Sequence, residues 1–178
     1  MSVNSNLYKK LLGVGLASSL ALSGSFLIAP SEGLVTKTYL DPVNIITGCR
    51  GHTGPELKLG QTFTVDQCDK IFADDLIEHD KILLSVVKVP MTAYQHAAFL
   101  SFLYNVGPGK KGVKDGFVHL KKTGAPSSML RKLNAGDYDG ACNEFLSWMQ
   151  EGQGMSGIEK RRRLEMAMCK GQINYENN

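Results

Sequence analysis

Read as apolar and polar positions, the chain changes character near Pro30. Before it, residues 11–29 (LLGVGLASSLALSGSFLIA) carry no charge and follow directly on Lys9 and Lys10. After it, residues 37–54 (KTYLDPVNIITGCRGHTG) mix β-branched and aromatic residues with Asp41-Pro42 and several glycines, which predicts a short β-hairpin or meander. Beyond Thr64 the pattern turns helical. Thr64 and Gln67 stand at capping-box spacing, and Val65, Cys68, Phe72, Leu76 and Leu83 recur at helical intervals up to Pro90. Thr92 and Gln95 repeat the start signal for a helix that runs to Gly107-Pro108-Gly109. Short helices are expected over 117–122 and 127–133. Gly136 reads as a C-cap and Asp137 as the N-cap of a helix through Trp148. Ser156 and Glu159 open a last helix ending at Cys169. A small sheet in front of a helical bundle makes the expected class α+β, mostly α.

Composition narrows this further. The chain has 178 residues, and the about 145 left without the apolar N-terminus suit one domain with a real core. With 43% hydrophobic and 21% charged residues it is a globular composition. A net charge of +3 fits an anionic polymer as partner. No basic stripe interleaved with aromatics is present, so no nucleic acid is expected, and the protein is expected to be a monomer. Cys49, Cys68, Cys142 and Cys169 have no C-x-x-C spacing and no histidines cluster with them, so zinc is not expected; the chain is expected to need no metal and no cofactor. Either the four are small buried residues, or the domain is exported and they form two disulfides, Cys49–Cys68 and Cys142–Cys169 being the preferred pairing.

The 11–29 segment is nearly long enough to cross a bilayer core of ~30 Å at ~1.5 Å per helical residue. Its positive flank puts the N-terminus in the cytoplasm and the rest outside. Yet ten of its nineteen residues are Gly, Ala or Ser, so it is a weak anchor. Three readings compete: a cleavable signal peptide, a permanent anchor, and an anchor able to leave the membrane. The third is preferred. Gly15, Ser18, Ser19 and Ser25 fall on one helical face and Leu12, Leu16, Leu20 and Leu27 on another, as on an element that can also lie on a globular domain.

Glu32, Asp41 and Thr47 follow the anchor directly. Two carboxylates and a hydroxyl near a strand turn suit glycoside hydrolysis, in which one carboxylic acid protonates the leaving oxygen and a carboxylate attacks the sugar or activates a water. On residue type alone they are equally solvated turn residues.

The spacing of Glu32, Asp41 and Thr47, followed by TGCRGHTG, resembles the catalytic segment of phage-type lysozymes, the muramidase endolysins that cut bacterial peptidoglycan. SFLYNVGPG (101–109), LRKLNAGDYDGACNEFLSW (130–148) and GIEKRRRLE (157–165) resemble three further blocks of that family, in the same order. The resemblance implies a two-lobed lysozyme-like fold with a small β-hairpin lobe and a helical bundle lobe. It implies Glu32 as general acid, Asp41 as second carboxylate and Thr47 as water-orienting hydroxyl. It also points Arg161 or Arg162 at the acid or the substrate, and Tyr104, Asn105 and His52 are carried with Arg161 as candidate substrate-binding residues. His52 reads more simply as a structural residue bonding across the hairpin, and Trp148 as a core residue. Glu159–Arg163 and Arg161–Glu165 are i,i+4 pairs on a solvated helix face in the plainest reading. Where the family has an apolar residue, Gly and an aromatic after the Thr, this chain has Gly48-Cys49-Arg50, whose roles the sequence leaves open. Because Asp41 is kept, a thiol-switched site is not indicated.

In that fold the acid ends the first helix, and only the 11–29 segment precedes Glu32. Anchor and first helix therefore overlap, which resembles the signal-anchor-release endolysins of lambdoid phages. The expected division is residues 1–30 as signal-anchor segment and first helix of the released domain, and 31–178 as catalytic domain. The expected function is hydrolysis of the β-1,4 bond between N-acetylmuramic acid and N-acetylglucosamine in peptidoglycan. The enzyme would be held at the host inner membrane through residues 11–29 and then released to the periplasm. A membrane-anchored, non-catalytic peptidoglycan-binding protein and a lytic transglycosylase are the alternatives.

Overall fold

Both capping boxes form. Thr64 accepts from Gln67 N at 3.2 Å while the Gln67 side chain accepts from Thr64 N at 2.7 Å, and Thr92 and Gln95 do the same at 3.1 and 2.9 Å. They start the two longest helices of the computed structural model, which describes residues 5–42, 44–149 and 157–173. The elements in chain order are α1 (Ser5–Gly13), α2 (Ser18–Leu22), a π-helical stretch (Ser23–Ile28), α3 (Ala29–Glu32), β1 (Val35–Leu40), β2 (Ile46–Cys49), β3 (His52–Thr53), α4 (Val65–Val86), α5 (Ala93–Val106), α6 (Ser128–Asn134), α7 (Tyr138–Asn143), a 3-10 turn (Glu144–Trp148) and α8 (Gly157–Cys169). The class is α+β and mostly α, as the pattern predicts.

Helix α5 is the axis of the helical lobe. Every residue from Ala97 to Leu103 is buried, as in a helix surrounded on all sides. Phe99 and Phe102 meet Phe145 at centroid distances of 5.4 and 5.6 Å, and Trp148 stands edge-on to Phe102 at 5.2 Å, so Trp148 is a packing residue. Each such ring contributes roughly 1.5–3 kcal/mol when buried.

The sheet is antiparallel in the order β1-β2-β3, with Tyr39 opposite Thr47, Leu40 opposite Ile46, and Thr47 opposite Thr53. It has little core of its own. A Cys49–Cys68 disulfide ties β2 to α4, and a Cys142–Cys169 disulfide ties α7 to α8. Both are the preferred pairings.

The apolar N-terminal run is not one helix. It breaks at Gly13–Gly15, where Gly15 adopts a left-handed φ of +88°. Among the described residues no helix is long and apolar enough to cross a membrane. From Ser18 to Glu32 the chain is helical and packs into the core through Leu20, Leu22, Phe26, Leu27 and Ile28. Gly24 permits the approach, since a Cβ there would lie 2.8 Å from Leu76 and 3.1 Å from Phe72. Pro30 accounts for the wider π turns before it. Its ring cannot donate to the preceding turn and crowds the carbonyl four residues back, and the ladder shifts so that Ala29 N–H reaches Gly24 O.

Several expectations need correction. The two-faced reading of the 11–29 segment fails, because Ser19, Ser23 and Ser25 are buried whereas Leu12 is exposed. Val65 is exposed too, lying in the first turn of α4, where the helix has not yet reached the core. Residues 117–122 form no helix. Phe117 and Val118 donate to Gly107 O and Pro108 O, and the Gly109 and Gly116 backbones touch so closely that either Cβ would clash, a fold-back that helical dihedrals do not allow. The helix from Asp137 is α-helical only to Asn143 and tightens into the 3-10 turn. The Ser156 half of the third capping box lies outside the described residues.

Candidate active site

Glu32 ends α3. The next residue, Gly33, leaves the helix at a φ of +73°, a conformation that suits glycine. The carboxylate thus stands where the helical lobe passes into the sheet. Oε1 accepts from Arg161 Nη1 at 2.7 Å. Oε2 lies against Gly51 in the β2–β3 turn, where a Cβ would come within 3.0 Å of it. Gly51 holds a left-handed φ of +81°, which favours glycine, and a side chain there would also press Oε2 out of place. Pro30, Ser31, Glu32, Asn105, Lys160 and Arg161 border an open cavity of about 620 Å³.

Arg161 is almost wholly buried and uses all three nitrogens: Nη1 on Glu32, Nε on Glu165 Oε1 at 3.1 Å, and Nη2 on the Ser101 carbonyl at 3.1 Å. Glu165 has no exposed surface. Its Oε1 also accepts from Ser101 Oγ at 2.6 Å, and its Oε2 accepts from Arg162 Nη1. Arg162 in turn donates through Nη2 to Asn105 Oδ1 and lies 4.6 Å from the centroid of the Phe102 ring. Burial pushes the Arg162 guanidinium down from its ordinary range, and the Glu165 charge opposes that push. The adjacent arginines diverge at the backbone but converge on Glu165 at their tips, whereas Arg163 points outward to Glu159 at 2.9 Å.

Asp41 and Thr47 sit on the β1–β2 hairpin and share one neighbour. Ile45 N donates to Asp41 Oδ1 at 2.8 Å, and Thr47 Oγ1 donates to Ile45 O at 3.3 Å. Thr47 is buried in the central strand, and Asp41 is half-buried at the turn.

Tyr104 and His52 line a second cavity, with Gly51 and Asp75. Tyr104 donates to Arg50 O at 3.0 Å and packs on Phe72 and His79. Burial raises its phenol, and the charges of Asp75 and Glu32 add to this. His52 pairs with Gly48 across the β2–β3 hairpin through its backbone, but its side chain does not bond across it. Its Nδ1 meets Asp75 on α4 at 2.9 Å and its Nε2 meets Glu56 at 2.6 Å, because its ring leaves the sheet toward two carboxylates. Burial, the largest influence, disfavours its charge, but the Glu56 hydrogen bond and the Asp75 charge together raise it above the ordinary value. Arg50, left open by the sequence, is buried. It reaches Asp69 at 3.3 Å and the Gly33 carbonyl at 3.5 Å and stacks over Phe72. Among the described residues no group of His, Cys, Asp and Glu could hold a metal ion.

Sequence reasoning missed Gly51 and Ser101, named Arg162 only as an alternative to Arg161, and gave Glu165 no part beyond an i,i+4 pair. The polar spacing of α8 reads as a solvated face, and only the burial of Arg161, Arg162 and Glu165 together reveals otherwise.

Comparison with known proteins gives the family and the fold. The phage lysozyme family model matches residues 29–165. The SAR-endolysin of Bacteriophage PS119 is 33% identical over 139 residues, covering 78% of this chain and 75% of that one. The SAR-endolysin of Enterobacteria phage P21 is 31% identical over 157 residues, covering 85% and 87%. The active form of the phage P1 endolysin Lyz superposes with a TM-score of 0.76 over 98% of both chains at 19% identity, a likeness of fold. The chain belongs to the phage lysozyme family. It is therefore a glycoside hydrolase of the lysozyme, or muramidase, type, with peptidoglycan as its substrate.

Proposed function

We propose that this muramidase is an endolysin that hydrolyses the β-1,4 bond between N-acetylmuramic acid and N-acetylglucosamine, with Glu32 as general acid. The observation that carries this reading is the Glu32 carboxylate, held by the buried Arg161 on the wall of an open cavity. Arginine has only donors, so Oε1, which it faces, is an acceptor. The transferable proton then belongs on Oε2, against Gly51. Glu32 passes that proton to the glycosidic oxygen as the bond to C1 breaks, and Arg161 stabilises the carboxylate left behind. On the opposite sugar face Asp41 takes a proton from the attacking water, and Thr47, whose hydroxyl hydrogen is spent on Ile45 O, accepts a hydrogen bond from it. Water arriving opposite the leaving group inverts the anomeric centre. Arg161, Asn105, Tyr104 and His52 line or support the groove that receives the glycan.

The names of the relatives support a membrane-held precursor. Residues 11–29 would anchor the enzyme in the inner membrane with its domain in the periplasm. Release would let residues 18–32 pack as the core helix that ends in Glu32. While the segment stays in lipid, the acid has no helix to stand on and the cleft is incomplete.

Analysis of product ends separates hydrolysis from transglycosylation. Asp41→Ala is expected to lose turnover, and the wild type to yield reducing muramic acid ends. Substantial turnover by Asp41→Ala, with anhydro ends, would contradict the hydrolytic reading and favour a lytic transglycosylase.

A further inference from the structure

The fully buried Glu165 is not required by the chemistry just described, yet two cavity-lining side chains depend on it. Through Oε1 it holds Arg161, which holds Glu32. Through Oε2 it holds Arg162, which holds Asn105. Glu32 and Asn105 both border the same cavity. We propose that Glu165 is a positioning residue for the reaction, aiming the acid along one guanidinium and Asn105 along the other. The proposal rests on the reading of Glu32 as the acid and of Asn105 as a substrate contact.

The bonding is directional. A guanidinium is a rigid fork of donors, and its orientation is fixed once two of its edges are committed. Arg161 has Nε on Glu165 and Nη2 on Ser101, so Nη1 has one direction left, and Glu32 is there. Ser101 Oγ donates to the same Glu165 oxygen, so it braces the Glu32 arm and has no bond on the Asn105 arm. Charge matters as well. Arg161 and Arg162 are adjacent, buried and of like sign, and Glu165 carries the anion between them. A neutral isostere would leave one of the pair without compensation, and each would seek Glu32 or Asn105 in a different geometry. A misplacement on the order of 1 Å costs a rate about 100-fold.

The alternative is that Glu165 only fastens α8 to α5. The two roles give different kinetics in folded enzyme. Glu165→Gln and Ser101→Ala are assayed with Glu32→Gln on soluble, uncrosslinked glycan strands by counting new reducing ends. Each is assayed well below its own melting temperature, with its near-UV circular dichroism matched to wild type. Glu165→Gln is expected to lose about 10- to 100-fold in kcat and to raise KM, because both arms loosen. Ser101→Ala, which perturbs one arm and leaves the ion pairs in place, is expected to lose kcat about threefold or more with KM unchanged. If Glu165→Gln fails to fold, the Ser101→Ala split alone decides. Wild-type kcat and KM in the folded variants, with Glu32→Gln inactive, would overturn the positioning role and leave the assignment of the acid standing. Wild-type turnover by Glu32→Gln would instead overturn the assignment of the acid, and the positioning role with it.

Discussion

Arg161 Nη1 lies 2.7 Å from Glu32 Oε1, although 129 positions separate the two residues in the chain. Helix α8 therefore braces the C-terminal end of α3. Arg161→Lys keeps the charge but cannot make the Nε bond to Glu165 and the Nη2 bond to Ser101 together with the bond to Glu32. The expected result is a loss of about tenfold or more in kcat. Arg161→Met leaves Glu165 short of a partner and is expected to cost about 3–5 kcal/mol of stability in chemical denaturation.

His52 gives the fold a pH dependence whose sign can be worked out. Its folded value is raised, so the stability it contributes is complete below the ordinary histidine value of 6.5 and fades as pH rises through the folded value. Glu56 is lowered, by its His52 bond first, so its share is present above 4.5 and fades as pH falls. Asp75 is raised by burial, which His52 only partly offsets, so it takes up its proton earlier on the acid side. The melting-temperature gap between wild type and His52→Asn should be widest between pH 4.5 and 6.5 and should narrow toward pH 9.

The two disulfides close loops with sequence separations of 19 and 27. Chain entropy alone assigns them about 3 and about 3.5 kcal/mol. Serine at both Cys142 and Cys169 should lower the melting temperature while leaving specific activity at low temperature close to wild type. Serine at both Cys49 and Cys68 should lower both, because that bridge holds the β2–β3 turn that abuts Glu32.

The release proposal can be tested without disturbing the folded domain. A side chain at Gly13 would meet nothing within 4 Å, whereas one at Gly24 would drive into Leu76, Leu11 and Phe72. Gly13→Leu should therefore leave the purified, membrane-free enzyme fully active and yet delay lysis when expressed in cells, since it strengthens only the anchor. Gly24→Leu should damage both. Prompt lysis by Gly13→Leu would contradict release as the activating step.

What the sequence made legible was local. Both capping boxes, the stop at Gly107, the Asp137 cap and the end of α8 at Cys169 depend on a few adjacent residues, and all are present. Misses arose where distant contacts overrode local preference. His52 was expected to bond across the hairpin; its backbone pairs with Gly48 there, but its side chain meets Asp75, 23 residues on. The 117–122 stretch has no helix because Gly109 and Gly116 are pressed together. The family resemblance directed Arg161 or Arg162 at Glu32 or the substrate, and Arg161 bonds Glu32, but its pairing with Glu165 read as a surface pair, and it is a buried one. Spacing along a helix gives the pairing and not the depth.

The most direct test of the central claim compares wild type with Glu32→Gln on outer-membrane-permeabilised Gram-negative cell walls, following turbidity and the product ends. Wild type alone should clear the suspension and release reducing muramic acid ends, with Glu32→Gln folded and inactive. Equal clearing by both proteins would contradict Glu32 as the acid.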